Sequence, residues 1–284
     1  MKDLSITIIT VCLNAQSIIK QTIDSVLSQK NIKFEYLIWD GGSTDKTLET
    51  ADNYRQLFEE TEIDYNIHTG TDSGIYDAMN KAADIAKGDW ILYLNAGDYL
   101  YSGDCLSKLA ESVNDDIDVL YGDVLYTYYS LYKPFISRPA EAITQEYIFC
   151  HQSVLTRKEV IRHYKFDLRY LICSDYDMYL RSYLNGCRFC HTNIPVCVYD
   201  NNGFSSKGFY LDSHIERATI LYNNRLITHK EYESGVFKEK LFRVVPGFFE
   251  RILPFNLVRV LITPLLLIKG WKKNYIEYRD FYKT

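Results

Sequence analysis

Apolar positions along the first hundred residues change period several times, and each change marks an element. Residues 5–11, SITIITV, form an unbroken β-branched run of the kind found in strands buried on both faces. Residues 14–17 follow as a candidate helix cap. Behind them Ile18, Ile19, Ile23, Val26 and Leu27 recur at helical spacing. FEYLIWD, residues 34–40, predicts a second strand that ends on Asp40 and breaks into Gly41-Gly42-Ser43-Thr44-Asp45, with a helix from near Thr47. A third strand is expected over 65–68. A helix is expected over 75–87, with Gly88 as its C-cap, and a fourth strand over 90–94.

The resulting order, β-α-β-α-β-α-β, predicts a parallel sheet with right-handed crossovers and helices on both faces. Its strands send their C-terminal ends to one edge, where ligands bind in open α/β sheets. Thr10, Val11, Asp40, Asp72 and Asp98 gather there by prediction. Beyond residue 118 the pattern loosens. A hairpin is expected over 118–129, a strand-to-helix step over 150–161, a helix over 174–186 and a pair of strands over 188–200.

Composition narrows the function. The chain has 284 residues, 47% hydrophobic and 24% charged, enough for one large α/β domain. Its net charge of −5 argues against a nucleic-acid partner. Residues 241–284 carry +5, the remainder −10. This basic tail holds an apolar stretch broken by Arg259, Pro254 and Pro264 and flanked by Phe248, Phe249 and Trp271. It suits a segment lying on an anionic membrane surface, or else one packed on the domain or in a dimer. The opening residues read as a strand rather than a secretory leader, and seven scattered cysteines suggest a reducing compartment. A cytoplasmic chain, peripheral at the inner face of the plasma membrane, is the expectation.

Candidate chemistry lies in the turns. Asp98 ends the turn NAGD (residues 95–98), and one or two carboxylates suffice to hold Mg²⁺ or Mn²⁺ against a diphosphate; Asn95 would stand behind it. Asp98 read alone is equally a turn-capping residue. Asp40 either accepts from the N–H of a base edge or shapes its turn, and Asp72 has the same two readings. His151 and Gln152 open the strand-to-helix step, where His151 contacts a phosphate or acceptor oxygen or serves structure alone. Cys187 and Cys190, with His191 and Cys197 nearby, have zinc-knuckle spacing but fall in a strand pattern with no second knuckle.

Four stretches, in order and spacing, resemble family 2 glycosyltransferases: residues 6–29, 36–49, 72–98 and 174–186. The resemblance covers about residues 4–205. It implies a GT-A fold: an α/β architecture with a Rossmann-like, mostly parallel nucleotide-binding sheet, mixed acceptor-side additions and a C-terminal helical tail. The domains it implies are 1–240 (a nucleotide-binding half, 1–118, and an acceptor half, 119–240) and a tail, 241–284. By the same resemblance Thr10, Val11, Asn14, Asp40, Asp72, Asn95 and Ala96 surround the nucleotide. His151 and Gln152 border the acceptor and diphosphate, Asp98 holds the metal, and Asp175 is the base. The family's usual acidic pair is reduced here, since Asn95 stands at its first position.

The implied reaction moves a sugar, with inversion, from a nucleotide-diphospho-sugar, UDP rather than GDP, to a hydroxyl of a glycan or lipid-linked glycan. Such a hydroxyl must lose its proton as the bond to C1 forms, and a carboxylate within reach can take it. Asp177, two residues beyond Asp175 on a helix, points elsewhere. Two rivals stand beside this reading. One is a nucleotidyltransferase, which wants a glycine- and arginine-rich phosphate loop that TVCLNAQS lacks. The other is a non-catalytic nucleotide-sugar-binding module.

Overall fold

The computed structural model describes residues 4–128, 131–200 and 210–244. The chain divides into two compact units, one of residues 1–125 and 135–200, the other of 126–134 and 201–284.

The first unit opens as the periodicity predicts. Strand β1 (Ile6–Cys12) is buried along its whole length. Helix α1 (Ile19–Leu27) follows, burying Ile19, Thr22, Ile23 and Val26. Then come β2 (Phe34–Asp40), short helices α2 (Thr47–Asp52) and α3 (Arg55–Glu59), and β3 (Ile63–Thr69). Helix α4 (Ile75–Ile85) and β4 (Trp90–Tyr93) complete the βα repeats. β1 pairs in parallel with β2 on one side and β4 on the other, and β2 pairs in parallel with β3. All four strands therefore point their C-terminal ends to one edge.

The remainder adds antiparallel structure. After β5 (Tyr99–Leu100) and α5 (Cys105–Glu111), strands β6 (Val119–Tyr128) and β7 (Leu131–Phe135) pair with one another. Two 3₁₀ turns, Ala140–Thr144 and His151–Ser153, lead to β8 (Val154–Arg157). Helices α6 (Lys158–Tyr164) and α7 (Ser174–Leu184) precede β9 (Phe189–Asp200). β8 pairs antiparallel with β4 and β6, and β9 pairs antiparallel with β5. The nine-stranded order is β3-β2-β1-β4-β8-β6-β9-β5, with β7 beside β6.

Several expected boundaries move. The helix expected from a cap at residues 14–17 begins only at Ile19, with Ile18 at the cap position and no side-chain cap bond. Asn14 is diverted into a bond to a neighbouring loop, described below. α4 ends at Ile85 with Ala86 as its cap rather than Gly88. Residues 188–200, expected as two strands, form the single strand β9, which runs through Pro195. Helix α5 has no counterpart in the sequence reading.

In the second unit, α8 (Tyr210–Asn223) is followed by α9 (His229–Val244). Thr228 and Glu231 form a reciprocal capping box at the start of α9: Thr228 N–H donates to Glu231 Oε2 at 2.7 Å, and Glu231 N–H donates to Thr228 Oγ1 at 3.3 Å. Tyr222 and Tyr232 stack across the two helices, with centroids 4.9 Å apart. No helix among the described residues is long and apolar enough to cross a membrane. The basic tail, from residue 245 onward, lies outside the described residues.

The sheet's N-terminal edge is fastened by a buried carboxylate. Glu35, 6% exposed, accepts from Thr7 Oγ1 at 2.6 Å and from Lys87 N–H at 2.8 Å, while Thr7 Oγ1 accepts from Gly88 N–H at 2.9 Å. Glu35→Ala strands these donors, an effect of about 1–3 kcal/mol for buried polar groups left unpaired. Thermal unfolding should shift down accordingly.

Candidate functional site

The loops after β1 and β2 are laced together. Asn14, with φ of 51°, accepts from Thr44 N–H through Oδ1 at 2.9 Å, and its own N–H donates to Ser43 Oγ at 2.8 Å. Ala15 N–H donates to Thr47 Oγ1 at 2.7 Å. A short polar residue tolerates this left-handed backbone better than most. Asp40 is fully buried; its Oδ2 accepts from Gly42 N–H (3.0 Å), Ser43 N–H (2.8 Å) and Thr69 Oγ1 (3.2 Å). The carboxylate thus builds the turn. Burial, with Asp40 close by, pushes the Cys12 thiol well above its ordinary range.

Asp72 lies against that turn. Its Oδ2 accepts from Trp39 Nε1 at 3.2 Å and its Oδ1 from Gly74 N–H at 3.2 Å. A Cβ at Gly41 would stand 2.7 Å from Asp72 Oδ2, so a side chain there would displace the Asp72 carboxylate. Thr10 is fully buried and donates to Leu94 O at 2.7 Å, and Val11 is buried as well. The Thr10 hydroxyl ties β1 to the end of β4.

The NAGD turn begins at that tie. Gly97 takes φ of 103°, a conformation that favours glycine. The Gly97 N–H donates to Thr22 Oγ1 at 2.9 Å, and Thr22 Oγ1 donates to Asp98 O at 2.7 Å. One α1 hydroxyl therefore clamps the turn from both sides. Asn95 and Ala96 are half-buried, while Asp98 is 6% exposed and accepts from Gln152 Nε2 at 2.9 Å through Oδ2.

Segments far apart in the chain complete the second cluster. Asn95 Nδ2 lies 3.1 Å from His151 Nε2, and His151 Nδ1 lies 2.9 Å from Asp175 Oδ2. Asp175 sits in the first turn of α7, its side chain 21% exposed, and its Oδ1 accepts from Tyr176 N–H at 2.8 Å. A small cleft lined in part by Ile143, Tyr147, Phe149, His151, Asp175 and Tyr176 opens beside it. Asp177 instead is buried and paired with Arg181 Nε at 2.7 Å; burial raises its carboxyl above the usual range.

Asn95, His151 and Asp175 are thus joined by direct side-chain bonds, and Asp98 is joined separately to Gln152. Asn14, Asp40 and Asp72 form a separate group on the first two loops. Sequence reasoning missed Thr22 and also Tyr76. The Tyr76 hydroxyl donates to Ile172 O at 2.6 Å and lies 3.3 Å from Asp175 Oδ1. Burial, with Asp175 nearby, pushes this phenol well above its ordinary range. Neither residue carries a local signal, because each is a core position of an amphipathic helix whose role depends on a partner about 76 or 99 residues away. His191, from the cysteine-rich strand, pairs with Asp123 at 2.9 Å. Among the described residues no group of three or more His, Cys, Asp or Glu is arranged to hold a metal by itself.

Comparison with known proteins gives this geometry its context. The PGL/p-HBAD biosynthesis glycosyltransferase of Mycobacterium bovis (strain BCG / Pasteur 1173P2) is 33% identical over 205 residues, covering 69% of this chain and 77% of that protein. The amylovoran biosynthesis glycosyltransferase AmsB of Erwinia amylovora is 26% identical over 216 residues, 70% of each chain. Among solved structures, S. aureus TarS 1–349 in complex with UDP-GlcNAc superposes with a TM-score of 0.64 at 15% identity, covering 82% of this chain and 70% of that one. The mannosyltransferase PcManGT from Pyrobaculum calidifontis, in complex with GDP-Man and Mn²⁺, gives 0.58 at 16% identity over 97% and 82%. The fold is GT-A. The family model for glycosyl transferase family 2 matches residues 7–187, and the chain belongs to that family of enzymes.

Proposed function

We propose that this glycosyltransferase moves a sugar, with inversion, from a UDP-sugar to a hydroxyl of a glycan or lipid-linked glycan. Asp175 is the base. The observation that carries this reading is the placement of Asp175: a partly exposed carboxylate at the head of α7, held by His151 and the Tyr176 N–H beside a cleft. In the reaction the acceptor oxygen attacks C1 while its proton passes to Asp175. The C1–oxygen bond to the diphosphate breaks, and its electron pair leaves with the nucleotide.

Asn14, Asp40, Asp72 and the backbone of Thr10 and Val11 form the nucleoside side of this reading, where the ends of β1, β2 and β3 meet. Asn95 and Ala96 continue it towards the phosphates. Asn95 Oδ1 is buried without a partner, a deficit that a donor hydroxyl would relieve.

A divalent ion fits the turn chemically. Asp98 offers one hard oxygen donor, and Mg²⁺ or Mn²⁺ needs only one or two protein carboxylates when phosphates and waters fill the remaining positions. Bound there, the ion neutralises the charge that develops on the departing diphosphate. Gln152 orients the Asp98 carboxylate through its amide. Two solved structures of similar fold, PcManGT with GDP-Man and Mn²⁺ and GalNAc-T7 with UDP, GalNAc and Mn²⁺, support a divalent ion here.

The relatives named for PGL/p-HBAD and amylovoran biosynthesis support an envelope or extracellular glycan acceptor. The basic, apolar tail supports docking on the inner face of the plasma membrane, near a lipid-linked acceptor.

A thermal-shift screen with UDP-glucose, UDP-N-acetylglucosamine, UDP-galactose and GDP-mannose, with and without Mn²⁺, tests the donor and the ion together. A UDP-sugar should stabilise the protein by several degrees, more so with Mn²⁺. No shift with any nucleotide would favour the non-catalytic module instead. Asp175→Asn should lower sugar transfer by at least about a hundredfold while keeping the nucleotide-induced shift. Thr22→Val unclamps the NAGD turn and should weaken the Mn²⁺-dependent part of the shift more than the nucleotide part, with a stability loss of about 1–2 kcal/mol.

A further inference from the structure

The chain of contacts from Asn95 through His151 to Asp175 does something more specific than fill space. An ionised carboxylate only accepts hydrogen bonds, so the contact at 2.9 Å places a proton on His151 Nδ1. In a neutral ring the other nitrogen is then a lone-pair acceptor, and its partner must donate. The Asn95 amide does so at 3.1 Å. Both ring nitrogens are occupied by these two side chains.

We propose that Asn95 and His151 are positioning residues for Asp175: Asn95 fixes His151 as the neutral Nδ1–H tautomer, and that N–H holds Asp175 ionised and in one orientation. This inference rests on Asp175 being the base. The proton taken from the acceptor ends on Asp175, and the His151 proton stays on Nδ1 throughout. Neutrality of the ring matters, because an imidazolium against Asp175 would make the carboxylate a weaker base. A carboxylate at position 95 would favour that imidazolium by accepting from a protonated Nε2. The neutral amide donates and stabilises no second proton.

The groups facing this pair come from several elements. They are Tyr176 and Tyr179 of α7, Tyr76 of α4, Tyr147 and Cys150 of the segment entering the His151 turn, and Asp98 by way of Gln152. Burial raises the Tyr76 and Tyr179 phenols and the Cys150 thiol well above neutrality, so these three stay uncharged where the enzyme works.

The test uses the full chain labelled with ¹⁵N. It has six histidines, and His151→Gln assigns the ring signals of His151. At pH 7 the wild-type ring should show a protonated Nδ1 and an unprotonated Nε2, and Asn95→Asp should protonate both. In parallel, UDP release from a UDP-sugar with Mn²⁺ is followed against pH. Asn95→Asp should slow it about tenfold at pH 7 and move its acid limb down by about one pH unit, as expected for a carboxylate beside a new positive charge. Where release is too slow to time, the ring spectrum decides. A wild-type Nε2–H tautomer, a wild-type imidazolium at pH 7, or an Asn95→Asp protein with unchanged spectrum and pH limb overturns the proposal. Asp175→Asn separates the two claims: if it keeps normal turnover, the base assignment itself fails. If it is inactive while Asn95→Asp behaves as wild type, only the positioning role fails.

Discussion

The site depends on β1 being pinned between two parallel neighbours. Every residue of this strand is buried, so its polar atoms must find partners inside the sheet. Leu94 N–H donates to Ile9 O at 2.8 Å, and Thr10 Oγ1 returns a bond to Leu94 O at 2.7 Å. These two bonds fix where β4 stops, one residue before the NAGD turn. Because side chains alternate across a sheet, a slip of one residue would reverse which of them face the core. It would also carry the turn away from Thr22. Register, more than any single loop contact, therefore decides where Asn95 and Asp98 stand.

The same register gives the acidic residues different work. Asp40 and Asp72 end adjacent strands or loops, yet their oxygens are committed to backbone N–H groups, a threonine hydroxyl and the Trp39 indole. They hold two glycine-containing loops at contact distance. Asp98 is gripped by one amide and Asp175 by an imidazole and a backbone N–H. A carboxylate at the ligand edge of an α/β sheet is thus not automatically a ligand. Several such groups serve the geometry that lets another carboxylate act.

What the sequence revealed, and what it hid, follows from the range of the interactions involved. β1, β2 and β4 were legible because strands buried on both faces need runs of apolar residues, and α4 was legible because its buried face repeats at helical spacing. Helix α5 escaped because its start is capped from afar: Gln29 Oε1 accepts from Leu106 N–H and its Nε2 donates to Ser102 O. Asn14 looked like a local cap for the same reason, since its true partner, Thr44, is thirty residues on. β9 runs as one strand through Pro195, where the sequence pattern predicts a pair. Proline fits an extended backbone and gives up only its N–H there. The individual site residues could be nominated from turn positions and family resemblance. Their pairing could not, because Asn95 and His151 are 56 residues apart and His151 and Asp175 are 24 apart, distances that no periodicity encodes.

The carboxamide at position 95 links the two halves of the proposed chemistry. A second carboxylate in the turn would bind a divalent ion more tightly, but it would also draw a proton onto His151 and weaken the base on α7. With Asn95 in place the Nε2 of His151 faces a neutral amide, and Asp98 is left as the turn's single anionic oxygen donor. An ion held by one carboxylate needs the diphosphate to complete its shell. An ion at Asp98 and a donor diphosphate would then bind cooperatively, each raising the other's affinity by the same factor.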